Sequence, residues 1–153
     1  MLEEDHRTIE QLFDAFDRAD AGDLERKNAL VQRACELLTI HSIIEEETLY
    51  PAAQKKALGA HERIDVDEAY VEHFLIKTLI ERLASLKAGD DGFDGTVKVL
   101  KENTAHHIEE EELVLFPEVC KTSMGLVALG VKMASRKATL QSVTETAMAA
   151  MAH

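Results

Sequence analysis

Two stretches of the chain place a histidine four residues before a glutamate and close on an aromatic–proline pair: HSIIEEETLYP at 41–51 and HIEEEELVLFP at 107–117. Aligned on their prolines, His41 matches His107, Glu45 matches Glu111 and Tyr50 matches Phe116. An acid–histidine pair precedes each stretch, Asp5–His6 in one case and Glu72–His73 in the other, with 35 residues from His6 to His41 and 34 from His73 to His107. Imidazole and carboxylate groups bind metals and exchange protons, or they simply face water. Their place on the helices decides which.

All four histidines fall on apolar faces. His6 precedes Ile9 by three and Phe13 by seven; His41 follows Leu37 by four and Leu38 by three; His73 precedes Ile76 and Ile80 by three and seven; His107 follows Leu100 by seven. Glu45 and Glu111 stand one helical turn after their histidines, on the same faces. At about 1.5 Å per residue, His73 and His107 lie about 22 and about 20 Å from the turn at 89–94, so the two meet at one height. A carboxylate in an apolar core is strongly disfavoured without a compensating positive charge, and no arginine shares these faces. One histidine on an apolar face is most often a core residue bonded to a carbonyl. Four histidines and two carboxylates at a repeated spacing point to metal. His106 is about 100° round the helix from His107 and reads as a surface residue. His61 reads as a loop residue and His153 as part of the tail. Glu46, Glu47, Glu109, Glu110 and Glu112 read as solvated acids, with room for one of them to support the site from outside. Tyr50 and Phe116 read as core packing.

Six ligand side chains exceed the needs of one tetrahedral zinc. Histidine with carboxylate suits iron. Four imidazoles, two bridging carboxylates and one oxo or hydroxo bridge fill about ten of the twelve positions of an octahedral iron pair, leaving two open. The ferritin-like Glu-x-x-His pattern occurs only at Glu3–His6 among these residues, and the His-Glu-x-x-His protease motif is absent.

The elements that must hold such a site are helical. Apolar residues recur with helical period throughout, and only two prolines and seven glycines interrupt the 153 residues. Ile9, Leu12, Phe13 and Phe16 mark a first helix. Asp23 caps a second, over roughly 24–57, with Leu30, Ala34, Leu37 and Leu38 inside. Asp65 caps a third with Ala69, Ile76, Ile80 and Leu83 inside, and Asp94 caps a fourth with Val97, Leu100, Ile108 and Leu115. This pattern predicts an all-α, antiparallel up-down four-helix bundle over residues 1–121. A less polar helix over 122–140 packs on its outside, and 141–153 form a frayed tail. Cys35 and Cys120 read as small buried or half-buried thiols, too few for a disulfide framework. The net charge of −12 argues against nucleic acid and anionic membranes as partners. Neither a leader segment nor a membrane span is visible, so a cytoplasmic location is expected.

The residues Asp5-His6-Arg7, His41 to Glu45 with Leu49-Tyr50-Pro51, Glu72-His73, and His107 to Glu111 with Leu115-Phe116-Pro117 resemble the hemerythrin HHE cation-binding family. The resemblance covers roughly residues 1–120. It implies a non-haem di-iron centre that meets O2, peroxide or NO, with His6, His41, Glu45, His73, His107 and Glu111 as its ligands. The O2-carrying members have a second histidine one turn after the third-helix histidine; here that position is Lys77. Lys77 either leaves a metal position open or water-filled, or hydrogen-bonds a bound oxygen species, or turns out to solvent. Each case disfavours simple reversible O2 carriage. His6 falls in the first helical turn, which weakens its hold on a metal. Three functions stay open: a peroxide- or NO-consuming oxidoreductase, which needs an electron donor; an iron or oxygen sensor acting on a protein partner; and a passive store.

Overall fold

The computed structural model describes residues 1–56, 59–121 and 125–151. Helix α1 runs Leu2–Arg18 and α2 runs Leu24–Ile44. A π-helical turn at Glu45–Leu49 joins α2 to the short α3, Tyr50–Lys55, in one continuous rod. The second half repeats the plan: α4 over Ala60–Ala84, α5 over Phe93–Glu110, a π-turn at Glu111–Leu115, and α6 over Phe116–Cys120. Helix α7, Leu126–Met151, lies against α2 and the first π-turn. Among the described residues there is no strand, and no helix is long and apolar enough to cross a membrane. The bundle is all-α, as its periodicity predicts.

Asp23 caps α2 by accepting the Arg26 N–H at 3.2 Å. The other two expected caps are corrected. Helix α4 begins at Ala60, so Asp65 sits inside it and His61 is an exposed residue of its first turn rather than a loop residue. Helix α5 begins at Phe93 after Gly92, whose φ of 87° suits glycine. Asp94 instead binds the buried Lys27 ammonium at 2.8 Å. The expected end of the second helix near 57, the start of the outer helix near 123, and His153 lie outside the described residues. The outer helix continues past 140 to Met151; its alanine-rich end has high helix propensity without a core-facing pattern.

Two apolar clusters fill the bundle. One, near the 19–23 and 86–92 links, contains Ile9, Phe13, Phe16, Ala34, Leu37, Leu38, Ile76, Leu83, Val97 and Leu100. Leu12, Leu30 and Ile80 pack half-buried against it. The other contains Leu49, Tyr50, Ala53, Val66, Ala69, Leu115 and Val119. The repeated histidines fall between the two clusters along every helix. Cys35 is half-buried, and burial followed by the charge of Glu36 pushes its thiol up to about 11. Cys120, the last residue of α6, is exposed rather than packed.

Candidate metal centre

Each π-turn follows from its proline. Pro51 and Pro117 stand inside continuous rods, where a proline ring collides with the carbonyl four residues back. A widened turn relieves the collision and replaces the bond with an i to i+5 one: the Tyr50 and Phe116 N–H groups donate to the Glu45 and Glu111 carbonyls. Residues five apart diverge by about 140° on an α-helix. The π-turn swings the fifth residue back toward the first. Tyr50 thereby comes under Glu45, and Phe116 under Glu111.

The six expected residues come together in the bundle's interior. His6, His41, Glu45, His73, His107 and Glu111 are each 3% exposed or less. His6 and His41 bring their Nε2 atoms to 3.1 Å, and His73 and His107 bring theirs to 3.0 Å. Glu45 Oε1 stands 3.2 Å from His41 Nε2 and 3.3 Å from His73 Nε2, so it links the two halves. Glu111 Oε1 does the same, 3.3 Å from His6 Nε2 and 3.1 Å from His107 Nε2. Yet both oxygens of Glu45 and Oε1 of Glu111 accept no well-aligned hydrogen bond. Buried carboxylate oxygens surrounded by imidazole nitrogens and left without hydrogens are what a metal site offers. The ligand atoms fall into two groups, His6, His41, Glu45 and Glu111 in one, and Glu45, His73 and His107 in the other. Glu45 belongs to both.

The far side of every imidazole faces a carboxylate. His41 Nδ1 lies 3.1 Å from Asp5 and His107 Nδ1 lies 2.9 Å from Glu72. His6 Nδ1 is 3.8 Å from Glu112 and His73 Nδ1 is 3.6 Å from Glu46, contacts longer than hydrogen bonds. Such outer carboxylates aim the rings and raise their basicity as ligands. Three of the four are themselves held by cations: Asp5 by Lys137, Glu112 by Arg7 and Glu46 by Lys77. Glu46 and Glu112 are therefore supports rather than solvated acids, and Asp5 and Glu72 are supports that the motif alone did not reveal. Their signal was present: an acid precedes the first histidine, and another follows the second by five, in both halves.

The buried charges of the centre act strongly on one another. Burial opposes a proton on His41, but Glu45, Asp5 and Glu111 outweigh it and raise the imidazole to about 10. Burial likewise opposes the charge on His107, and Glu111, Glu45 and Glu72 raise it well above the usual range. Burial would raise Glu45; the His41 charge and its polar neighbours hold it well below the usual carboxylate range instead. Protons on His41 and His107 thus stand in for cations.

The reading of Tyr50 and Phe116 as plain core changes here, and the alternatives left open for Lys77 narrow to the outward one. Tyr50 is core, fully buried, but its hydroxyl enters the centre: it donates to Glu111 Oε2 at 2.7 Å and lies 3.2 Å from His73 Nε2. Burial, then the charges of Glu45 and Glu111, push its phenol up, so it stays a neutral donor. Phe116 stacks on the His6 ring at 5.8 Å. Lys77 does not reach the centre. Half exposed, it sets its ammonium 2.8 Å from Glu46 and so steadies the support behind His73. His61 and His106 stay outside, as exposed side chains.

The hemerythrin HHE cation-binding domain model matches residues 1–119, the whole two-copy bundle. The chain belongs to this family. It is 26% identical to a hemerythrin HHE cation-binding domain-containing protein from Mycobacterium kansasii whose crystal structure superposes with a TM-score of 0.75, over 93% of this chain and 85% of that one. It is 33% identical over 75 residues to an uncharacterised hemerythrin-like protein of Schizosaccharomyces pombe. That match covers 49% of this chain and 36% of the yeast protein, so the chain spans well under two thirds of that relative. Membership makes the chain a metal-binding protein of the hemerythrin type, and the buried histidines and glutamates are groups that can hold the metal.

Proposed function

We propose that the chain is a non-haem di-iron protein that binds and reacts with O2, peroxide or NO. His6, His41, His73 and His107 would be terminal ligands of two iron ions, and Glu45 and Glu111 would bridge them, with an oxo or hydroxo group completing the pair. The observation that supports this best is the pair of ligand groups sharing Glu45, in which buried carboxylate oxygens lack hydrogen bonds. Bound iron would supply one-electron redox steps and a polarising charge. The chain's own contribution is legible in its residues. Asp5 and Glu72 hold Nδ1 protons so that His41 and His107 turn their Nε2 atoms inward. The two apolar clusters exclude bulk water from both ends. Tyr50 holds the one phenolic proton in contact with the centre, at hydrogen-bond distance from Glu111 and His73.

Anaerobic reconstitution with Fe(II), metal analysis, and visible spectra on adding O2, peroxide and NO in turn test this reading. Two irons per chain and repeated consumption of peroxide or NO support an oxidoreductase; a lasting, reversible oxy spectrum supports a store. Replacing His41 or Glu111 with Ala should abolish two-metal loading. Two irons retained in both variants refute the ligand set. A second reading, a sensor, rests on α7: Lys137 grips Asp5, which bears on His41, and Arg136 binds Glu47 at 2.7 Å on the first π-turn. Metal or ligand at His41 would then alter how firmly α7 is held. Protease cleavage within α7 that is the same with and without metal rejects this second reading.

A further inference from the structure

The seam between α4 and α5 carries ligand-type side chains outside the buried centre. Glu68 and Glu72 stand one turn apart on α4, and His106 and Glu110 stand one turn apart on α5. Glu68, His106 and Glu110 bring ligand atoms within 4.8 Å of one another. His106 Nε2 lies 3.3 Å from Glu72 Oε2, while the other Glu72 oxygen lies 2.9 Å from His107 Nδ1. One carboxylate therefore touches an outer imidazole and an inner one. Beneath them a cavity of about 10 Å³ is lined by Asp65, Glu68, Glu72, Glu110 and Glu111, room for a single water-sized guest. Glu111, 1% exposed, reaches this cavity from the buried centre, where its Oε1 faces His6 and His107, and on the cavity wall Glu72 Oε2 and Asp65 Oδ2 accept no hydrogen bond.

The fold itself does not demand these groups. In the first repeat the positions matching Glu68, His106 and Glu110 are Met1, Ile40 and Ile44, and both isoleucines are buried. The position matching Glu72 is Asp5, which Lys137 neutralises. Of the four carboxylates behind the histidines, Glu72 alone has no Lys or Arg partner among the described residues. Burial, then the charges of Glu110 and Glu72, push the Glu68 carboxyl above its usual range. The second repeat thus concentrates acids and an imidazole where the first has hydrocarbon, and no Lys or Arg ion pair to Glu68, Glu72 or Glu110 is seen among the described residues.

We propose that Glu68, His106 and Glu110 form an outer site for a divalent transition-metal ion, and that the α4–α5 seam past Glu72 is the route by which the ion reaches Glu111. One imidazole with two carboxylates suits Fe(II), Mn(II) or Zn(II). An acidic cleft with low-dielectric walls raises the arrival rate of cations. Glu72, which faces both His106 and His107, is placed to pass the ion inward. This inference rests on the reading of the buried centre as a metal site.

The test is the rate at which the metal-free chain acquires protected iron. Fe(II) is mixed anaerobically with protein, unprotected ion is stripped with a strong chelator at successive times, and retained iron is measured. The variant E68Q/H106A/E110Q should reach the same final iron content as the parent but on the order of tenfold more slowly at low ionic strength, with the gap narrowing as salt is added. A control at the far end of the bundle, E25Q/D91N, should load at the parental rate. Equal rates for the triple variant and the parent overturn the route, and so does an equal slowing in the far-end control. A parent that retains no iron at all refutes the buried centre, and this route with it, which separates that failure from a failure of the route alone.

Discussion

Replacing Tyr50 with Phe removes one oxygen and leaves the buried ring in place, packed at 5.1 Å against Tyr70. If Tyr50 were only core, the change would be nearly silent. The structure makes it a donor to a buried carboxylate, 2.7 Å from Glu111 Oε2. A hydrogen bond to a charged group contributes about 1.5–3 kcal/mol, and a buried acceptor left without its donor keeps the full desolvation penalty. A loss of about 2 kcal/mol in a domain of this size lowers Tm by about 4–8 °C. That is the expectation for the metal-free protein, read by calorimetry or circular dichroism. On the proposed reading metal binding changes the outcome, because a cation at Glu111 would satisfy the charge the phenol had been serving. The same substitution in the loaded protein should therefore lower Tm less than in the metal-free protein. A double-mutant cycle with Glu111→Gln isolates the contact and should show coupling of about 1 kcal/mol or more in the metal-free state. A Tm within about 1 °C of the parent in the metal-free Tyr50→Phe variant would refute the reasoning, since it would mean that the hydroxyl does nothing for Glu111.

Three further outcomes follow from the centre. Asp5→Asn removes the charge behind His41 and should weaken metal affinity by about 10–100-fold; equilibrium competition with a chelator measures it, and unchanged affinity would show that Lys137 and Asp5 play no part in aiming His41. Lys77→Met breaks a half-exposed pair with Glu46, whose worth is at most about 1 kcal/mol, so metal content should be unchanged and Tm should move by only a few degrees; loss of a metal would place Lys77 in the centre after all. The pH dependence of the metal-free chain has a defined sign. The His41 imidazole, raised from 6.5 to about 10, contributes stability fully below pH 6.5 and loses it as pH climbs through about 10. Glu45, depressed below its ordinary 4.5, contributes above that value and loses it as acid is added. Urea unfolding should therefore show a plateau between these limits and an alkaline decline, which metal flattens by replacing the imidazole protons; an alkaline limb that is flat without metal counts against the His41–Glu45 pairing.

The chain's own order of residues determined a good deal. The repeat of an acid–histidine pair followed by His-x-x-x-Glu placed six groups on the inner faces of four helices, because side chains three, four and seven apart on one helix share a face whatever surrounds it. That periodicity is local, so the burial of these six groups and the all-α bundle were legible without coordinates. The rest depended on relations between helices. Nothing in the spacing of Tyr50 from His41 put its hydroxyl at Glu111; on a regular helix it points well away from Glu45, and only the π-turn imposed by Pro51 swings it back. Lys77 falls one turn after His73 on the same helix, but the nearest strong acceptor is Glu46 on a neighbouring rod, and the long side chain follows it outward. Asp5 and Glu72 became supports because α1 packs on α2 and α4 on α5 at a height that brings each acid to the second histidine of its own half. Glu46 and Glu112 recur five residues after the second histidine of each half, but what they meet, like what Lys137 meets, is set by contacts between helices. Sequence periodicity records which way a residue faces on its own helix; which atom it meets there is set by how the helices pack.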